Sequence, residues 1–177
     1  MDQGRLMSAL PRPFGLAAAL VAALGLAACD ESPEQAAEDV VDERGFFTVH
    51  PETGATMSAI PQDGLPDTVM VSGDELAGPL PLGFTLHEGA KVLDSTFVSR
   101  GEKQSALVIF ESTSTPEELA EFYREQAASA GIETEVTLDG DAGRLVAGRE
   151  GTARFSLNAA REGDVTAAQL MISDGLD

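Results

Sequence analysis

The stretch TPEELAEFYREQAASAGIETEVTL, residues 115–138, decides the fold, because a well-marked helix is followed directly by a strand. Thr115, Pro116 and Glu118 supply a capping box with proline at the first helical position, which predicts a helix start. The apolar residues that follow recur at helical spacing, at Leu119, Phe122, Tyr123, Ala127 and Ala130. Gly131 supplies a residue that tolerates the left-handed conformation at a helix end. The sequence therefore predicts one amphipathic helix that ends at this glycine.

Alternating and apolar segments surround this helix. Ile132, Thr134, Val136 and Leu138 alternate with polar residues, which predicts a half-buried strand. Before the helix, residues 91–99 and 104–111 are predicted to form a hairpin. After it, further strands are predicted near residues 144–148, 153–160 and 167–173. The order ββ-α-ββββ predicts an α+β module over residues 84–174, with a mostly antiparallel sheet and one main helix packed on a face.

Residues 46–83 precede the predicted module and contain many prolines and glycines. Residues 46–60 are predicted to form two short strands around a turn at 51–54. From 61 to 83 the chain is predicted to be a loop, because prolines and glycines interrupt it repeatedly. A brief apolar piece at 68–71 is a candidate edge strand.

The N-terminal 28 residues have the pattern of an export signal. Arg5 and Arg12 precede an apolar run at residues 14–28, as in secretory signal peptides. The run has 15 residues, and a membrane-spanning helix needs about 20. Residues 1–28 are therefore predicted to be a removable signal peptide.

The apolar run ends in Leu26-Ala27-Ala28-Cys29, which resembles the lipobox of bacterial lipoproteins. The resemblance implies that Cys29 receives a diacylglycerol and that a dedicated signal peptidase recognises Leu26, Ala27 and Ala28 and cuts before the cysteine. It also implies a position in the bacterial cell envelope, facing the periplasm. Asp30 resembles the signal that retains lipoproteins of enteric bacteria in the inner membrane, so it favours the inner membrane weakly.

Residues 29–45 are predicted to be a flexible tether. Residues 30–45 contain seven acidic side chains against Arg44. A segment with such high charge and low hydrophobicity buries too little surface to offset the entropy of ordering it.

The composition restricts the classes of partner. The net charge is −19, and without residues 1–28 the chain has 9 basic and 29 acidic side chains. Nucleic acids and anionic lipid headgroups need clustered lysine and arginine, so the charge argues against both. Cys29 is the only cysteine, which excludes a disulfide within the chain.

The C-terminal half, roughly residues 80–173, resembles a small domain of uncharacterised bacterial lipoproteins. The resemblance is carried by Leu80-Pro81-Leu82-Gly83-Phe84, by residues 87–92, and by the helix start with Phe122-Tyr123. An aromatic-Pro-Gly-Ala turn is common in those proteins, and His87-Glu88 replaces its first two residues here. The resemblance implies a fold and a location, and it implies no activity.

The sequence contains no catalytic constellation. The only histidines are His50 and His87, and there is no Gly-x-Ser-x-Gly motif. Histidine and cysteine are too few for a zinc site, and Asp139 with Asp141 lacks the rest of a calcium loop. Accidental carboxylate pairs are numerous, but sugar-cleaving enzymes usually also have aromatic platforms, and tryptophan is absent.

The sequence therefore predicts a lipid-anchored envelope lipoprotein that is a non-enzymatic interaction or structural module, without cofactor or metal. Its membrane contact is the N-terminal lipid, and an envelope protein is a candidate partner. A small-ligand carrier of the periplasm is the alternative, with an apolar cavity between helix and sheet. An enzyme with a carboxylate-based site is a third hypothesis.

Overall fold

A computed structural model describes residues 40–42, 45–141 and 143–176 of the chain. Within these residues ten strands form one antiparallel sheet, and one α-helix lies between the sixth and seventh strands. The elements are β1 Val40–Asp42, β2 Gly45–Val49, β3 Thr56–Gln62, β4 Leu65–Gly73, β5 Lys91–Arg100, β6 Lys103–Ser112, α1 Pro116–Ser129, β7 Glu133–Asp139, β8 Gly143–Glu150, β9 Ala153–Glu162 and β10 Val165–Asp174.

The strand order is β1-β2-β3-β4-β5-β6-β10-β9-β8-β7. Neighbours in the sequence are neighbours in the sheet except after β6, where the chain moves to the far edge and returns through three hairpins to pair β10 with β6. Because every pair is antiparallel, β7 runs in the same direction as β6. Parallel strands need a crossover connection, and α1 provides it.

The helix start has the predicted capping box. The Thr115 hydroxyl oxygen accepts a hydrogen bond from the Glu118 backbone N–H at 3.2 Å, and a Glu118 carboxylate oxygen accepts one from the Thr115 N–H at 2.8 Å. Two otherwise unpaired donors at the helix start are thereby satisfied. At the other end Gly131 has a φ of +79°, so the prediction that the helix ends there is confirmed.

The hydrophobic core lies on one face of the sheet. Inward-facing residues of β6, β8, β9 and β10 pack beneath α1, and Leu119, Tyr123 and Ala127 of the helix are fully buried. Residues 74–90, which we call the strap, cover the rest of this face with Leu80 and Phe84 buried. The helix and the strap together form the second layer that an apolar sheet face requires.

Polar contacts hold the strap against its neighbours. The Ser95 hydroxyl donates to the Glu75 carbonyl oxygen at 2.5 Å. The Gln126 side chain accepts from the Thr85 N–H at 2.7 Å and donates to the Thr85 carbonyl oxygen at 3.1 Å. The His87 N–H donates to the buried Tyr123 hydroxyl at 3.2 Å. The strap is therefore fixed both to β5 and to α1.

The predicted fold class is wrong. An α+β module of order ββ-α-ββββ omits β1 to β4, which belong to the same sheet because β4 pairs with β5 in register from Thr68↔Arg100 to Gly73↔Ser95. The described chain is predominantly β, with ten strands and one α-helix. The cause is that strand pairing across the strap is non-local, so the sequence pattern within 84–174 does not reveal it.

The prolines of residues 61–73 caused this error. Pro61 coincides with a bulge between Ile60 and Gln62, and Pro66 lies outside the paired positions of β4. Proline is tolerated in a strand at such places because no ladder hydrogen bond from its nitrogen is needed. The piece at 68–71 is therefore part of β4, which pairs on both sides and is not an edge strand.

Two further predictions need correction. The strand after α1 was expected to be half-buried, yet all residues of β7 are exposed, because β7 is the edge of the sheet and the buried Ile132 precedes it. Of the predicted tether at 29–45, Val40–Asp42 forms β1 and pairs with β2.

The predicted strands of residues 46–60 and the hairpin of β5 with β6 are confirmed.

Candidate interaction surface

The predicted lipidation site lies outside the described residues. This applies to Cys29 and to the peptidase recognition residues Leu26, Ala27 and Ala28. It also applies to Asp30 and to residues 1–28 as a signal peptide. Among the described residues no helix is long and apolar enough to cross a bilayer.

His87 and Asp139, which the sequence offers as candidates for chemistry, make contacts that belong to the packing of the fold. His87 packs edge-on against Phe122 with ring centroids 4.9 Å apart, and its Nδ1 lies 2.9 Å from the Glu88 carbonyl oxygen. Asp139 forms an ion pair with Arg144 at 3.1 Å. Within residues 46–141 and 143–176 there is no group of three or more histidine, aspartate or glutamate side chains that would hold a metal ion.

Two pKa shifts have structural causes. The backbone N–H and hydroxyl of Thr115, at the helix cap, lower the pKa of Glu118. Burial raises the pKa of Tyr123 to about 12, and the His87 N–H hydrogen bond opposes this shift. Both groups belong to the packing of α1 and the strap, so neither indicates a reaction centre.

The face of the sheet opposite α1 and the strap is not covered by any described residues of the chain apart from the C-terminal turn. We call it the open face. Register assigns its members, because residues directly opposite each other on paired strands point to the same side. One row across the sheet runs through Ser72, Thr96, Leu107, Met171, Ser156, Ala147 and Val136. None of these side chains belongs to the hydrophobic core cluster.

Large apolar side chains are concentrated on the open face. Eleven large hydrophobic residues are exposed among those described. By strand register eight of them point to the open face, namely Phe47, Val49, Ile60, Met70, Ile109, Val136, Leu138 and Met171. Single exposed apolar residues are ordinary, whereas a contiguous patch of them on one side marks an interaction surface.

Shallow grooves lie between these side chains. One of about 320 Å³ is bordered by Val98, Arg100, Arg154 and Met171. A second, of about 220 Å³, is bordered by Ile109, Asn158 and Gln169. Both grooves are on the open face, whereas the helix–sheet interface is filled by side chains that are fully buried, including Tyr123, Phe110 and Leu157.

Charged residues of the open face are segregated by sign along the strands. At the end formed by the β5–β6 and β8–β9 turns the basic residues are Arg100, Lys103, Arg149 and Arg154, accompanied by Glu133 and Glu135. At the opposite end the acidic residues are Asp94, Glu111 and Glu162, accompanied by Lys91. The middle rows between these ends include Leu107, Ile109 and Met171, and their side chains are apolar or uncharged and polar except for Asp94, which lies directly opposite Ile109. The open face is thus apolar in its centre, with an excess of positive charge at one end and of negative charge at the other.

No protein-family model, no curated protein and no solved structure matches this chain.

The open face is not among the features predicted from the sequence, although a signal for it exists. In β6 the residues of the covered face, Ala106, Val108 and Phe110, alternate with Leu107 and Ile109. A strand with one face exposed to water should alternate apolar with polar residues, but this strand is apolar at both sets of positions. In the structure Leu107 is half-buried and Ile109 is exposed.

Proposed function

We propose that this protein is a lipid-anchored envelope lipoprotein whose sheet presents an interaction surface to another protein. The observation that supports it is the open face, where eight of the eleven exposed large hydrophobic residues point in one direction. Protein interfaces characteristically have an apolar centre with a charged rim, and the open face has this distribution.

The anchoring part rests on Leu26-Ala27-Ala28-Cys29 at the end of the apolar run. Each buried methylene of an acyl chain contributes roughly 0.8 kcal/mol to membrane binding, and two or more chains anchor a protein stably. The substitution Cys29→Ser is expected to block both acylation and the cleavage before residue 29, so that the larger, unacylated precursor with residues 1–28 accumulates. A Cys29→Ser protein that stays in the membrane fraction at unchanged size would remove this part of the proposal.

The interaction part is tested by photo-crosslinking in intact cells. A photoreactive residue at Ile109 or Leu145, both on the open face, is expected to form crosslinks to protein. The same residue at Glu125, an exposed position of α1, is the matched control. Met171→Asp should also abolish the crosslinks from position 109, since a carboxylate in the centre of an apolar interface would be buried without a partner. Equal crosslinking from positions 109 and 125 would contradict the proposal.

A further inference from the structure

We infer that one groove of the open face binds a medium-chain alkyl carboxylate, which is an unbranched apolar chain that ends in a carboxylate. The groove has a volume of about 320 Å³, and we call it the arginine groove. Its border includes Arg100, Arg154 and Ser105 together with the apolar side chains of Val98, Met171 and Leu176. The site goes beyond the proposed function, because a small molecule fills a groove of this size whether or not the rest of the open face contacts a protein.

Strand register places the polar groups of the arginine groove on four adjacent strands. Ser105 of β6 lies directly opposite Ser173 of β10, which lies directly opposite Arg154 of β9. Val98 of β5 lies directly opposite Ser105, and Arg100 is two residues further along β5. Residues two apart in a strand point to the same face of the sheet. The two arginines therefore flank the two serines on the open face.

The border of the arginine groove differs in charge from the rest of the chain. Without residues 1–28 the chain has 9 basic and 29 acidic side chains, yet no acidic side chain is among the described residues that border the groove. Lys103 also lies directly opposite Arg100, and like charges directly opposite each other on paired strands are destabilising. Among the described residues no acidic side chain forms an ion pair with either of them. A bound anion would relieve this repulsion.

Arg100 and Ser105 have donors from which a carboxylate accepts hydrogen bonds. The Arg100 Nε donates to the Thr68 hydroxyl oxygen at 2.8 Å, which uses one of the five N–H groups of the guanidinium. The remaining four N–H groups and the Ser105 hydroxyl have no partner within the described part of the chain. Arg154 contributes its positive charge, which acts on an anion through space. Hydrogen bonds between a guanidinium and a carboxylate are roughly twice as strong as those between neutral groups.

The rest of the border accommodates an apolar chain. Val98 and Leu176 are half-buried, and Met171 is exposed. A second groove, of about 300 Å³, shares Met171 with the arginine groove and is bordered also by Val136 and Ala147. A chain longer than the first groove therefore has space to continue. Sites for small molecules have volumes of about 300–1,000 Å³, so the arginine groove suits a small ligand.

The net charge of the chain restricts the charge of this ligand. The value of −19 means that the chain as a whole repels anions. A dianion is repelled about twice as strongly as a monoanion at the same distance. One negative charge therefore suits the site better than two, which favours a carboxylate over a phosphate monoester.

Binding of octanoate tests the site. The measurement is equilibrium dialysis of radiolabelled octanoate with the full-length protein in phosphatidylcholine nanodiscs, and nanodiscs without protein are the blank. A ligand of this size should bind with a dissociation constant on the order of 0.1–1 mM. Acetate has the charge without the chain, and octanol has the chain without the charge. Each should bind at least about tenfold more weakly than octanoate, since each loses one part of the recognition.

Variants assign the binding to the arginine groove. Arg100→Gln should weaken octanoate binding about tenfold, because a charge-assisted hydrogen bond is lost. Arg124→Gln on α1 removes the same charge on the other side of the sheet and should leave the binding unchanged. Circular dichroism checks that both variants are folded. If octanoate does not bind above the blank, if octanol binds as tightly, or if Arg124→Gln weakens binding as much as Arg100→Gln, the site is overturned. Tighter binding of octyl phosphate than of octanoate would overturn the assignment to a carboxylate.

Protection from alkylation provides an independent measurement of the location. In a Ser105→Cys variant, octanoate at ten times its dissociation constant should slow alkylation of position 105 by iodoacetamide about tenfold. Ser129→Cys, at the exposed end of α1, should react at the same rate with and without octanoate. Mass spectrometry of the peptides measures both rates. Equal rates at position 105 with and without octanoate would place the ligand elsewhere and overturn the inference, whereas the proposed function is judged separately by the crosslinks from position 109.

Discussion

At the scale of single residues, Gly148 of β8 is needed because the start of β7, just after α1, lies directly against it. A Cβ on this residue would overlap the Glu133 carbonyl oxygen and would lie 2.9 Å from the Phe155 ring. Neither atom has room to move, since one is backbone and the other is in the core. The glycine therefore allows the edge strand to approach β8 closely next to the bulge between Thr134 and Val136.

Gly148→Ala is expected to destabilise the protein by about 3 kcal/mol, because it forces β7 or Phe155 out of place. Gly78→Ala is the matched control, since nothing lies within 4 Å of a Cβ there. It should change the stability by less than about 0.5 kcal/mol. Urea unfolding followed by circular dichroism measures both, and equal effects would contradict the explanation.

Tyr123 links the strap to the helix and has a consequence at high pH. Burial raises its pKa to about 12, from an ordinary value of 10.0. The folded state therefore favours the neutral phenol, so the stabilisation is complete below pH 10 and is lost as the pH rises towards 12. The loss is on the order of 2 kcal/mol.

Because Tyr123 is the only tyrosine, its ionisation can be followed directly by the ultraviolet absorbance of tyrosinate. The folded protein should titrate with a midpoint near 12 and the urea-unfolded protein near 10. Tyr123→Phe should be less stable at pH 8 by about 1 kcal/mol, since the His87 N–H loses its acceptor, yet lose less stability between pH 10 and 12. A folded-state midpoint near 10 would show that the hydroxyl is accessible.

At the scale of elements, α1 depends on its capping box. The carboxylate of Glu118 has a lowered pKa because of its hydrogen bonds to Thr115. The stabilising effect of its ionised form is present above the pKa of the unfolded chain and is lost as the pH falls through the lowered pKa of the folded state. The cap should therefore weaken in acid before the core does.

Thr115→Ala is expected to lower the free energy of unfolding by about 1 kcal/mol, because the Glu118 N–H loses its acceptor. Thr113→Ala changes an exposed threonine two residues earlier and serves as the control. Thermal unfolding at neutral pH measures both variants. If Thr113→Ala is as damaging as Thr115→Ala, the effect does not come from the cap.

At the scale of the whole molecule, the core is unevenly distributed along the sheet. Residues 76–172 supply every buried hydrophobic side chain among those described except Ala59 of β3. Strands β1 to β4 are therefore held mainly by their hydrogen-bonded pairing, with β4 paired to β5. Such a region opens at a lower free energy than the core.

Native-state hydrogen exchange at increasing urea should show this difference. Backbone amides of β2, β3 and β4 are expected to exchange through a sub-global opening, while those of β6, β9 and β10 exchange only through global unfolding. Amides of the exposed edge strand β7 should also exchange early. Identical urea dependence for β3 and β10 would mean that the sheet unfolds as one unit.

The sequence by itself determined the elements whose signals are local. All of these signals depend on residues that are close together in the sequence. They are the capping box at Thr115–Glu118, the helical spacing of Leu119 and Tyr123, and the hairpin of β5 and β6. The lipobox at 26–29 is also a local pattern and stays a prediction.

The tertiary structure alone decided which strands are neighbours and which face is covered. Residues 65–73 contain a proline and were predicted to be mainly loop. In the structure they form β4, which pairs with β3 on one side and, on the other, with β5, from which the strap separates it in the sequence. The strand after α1 alternates as if half-buried, but it lies at the edge beyond the core. The alternation in β6 does not say which side α1 and the strap will cover. Pairing and coverage depend on contacts between residues far apart in the sequence, and a local pattern contains no information about them.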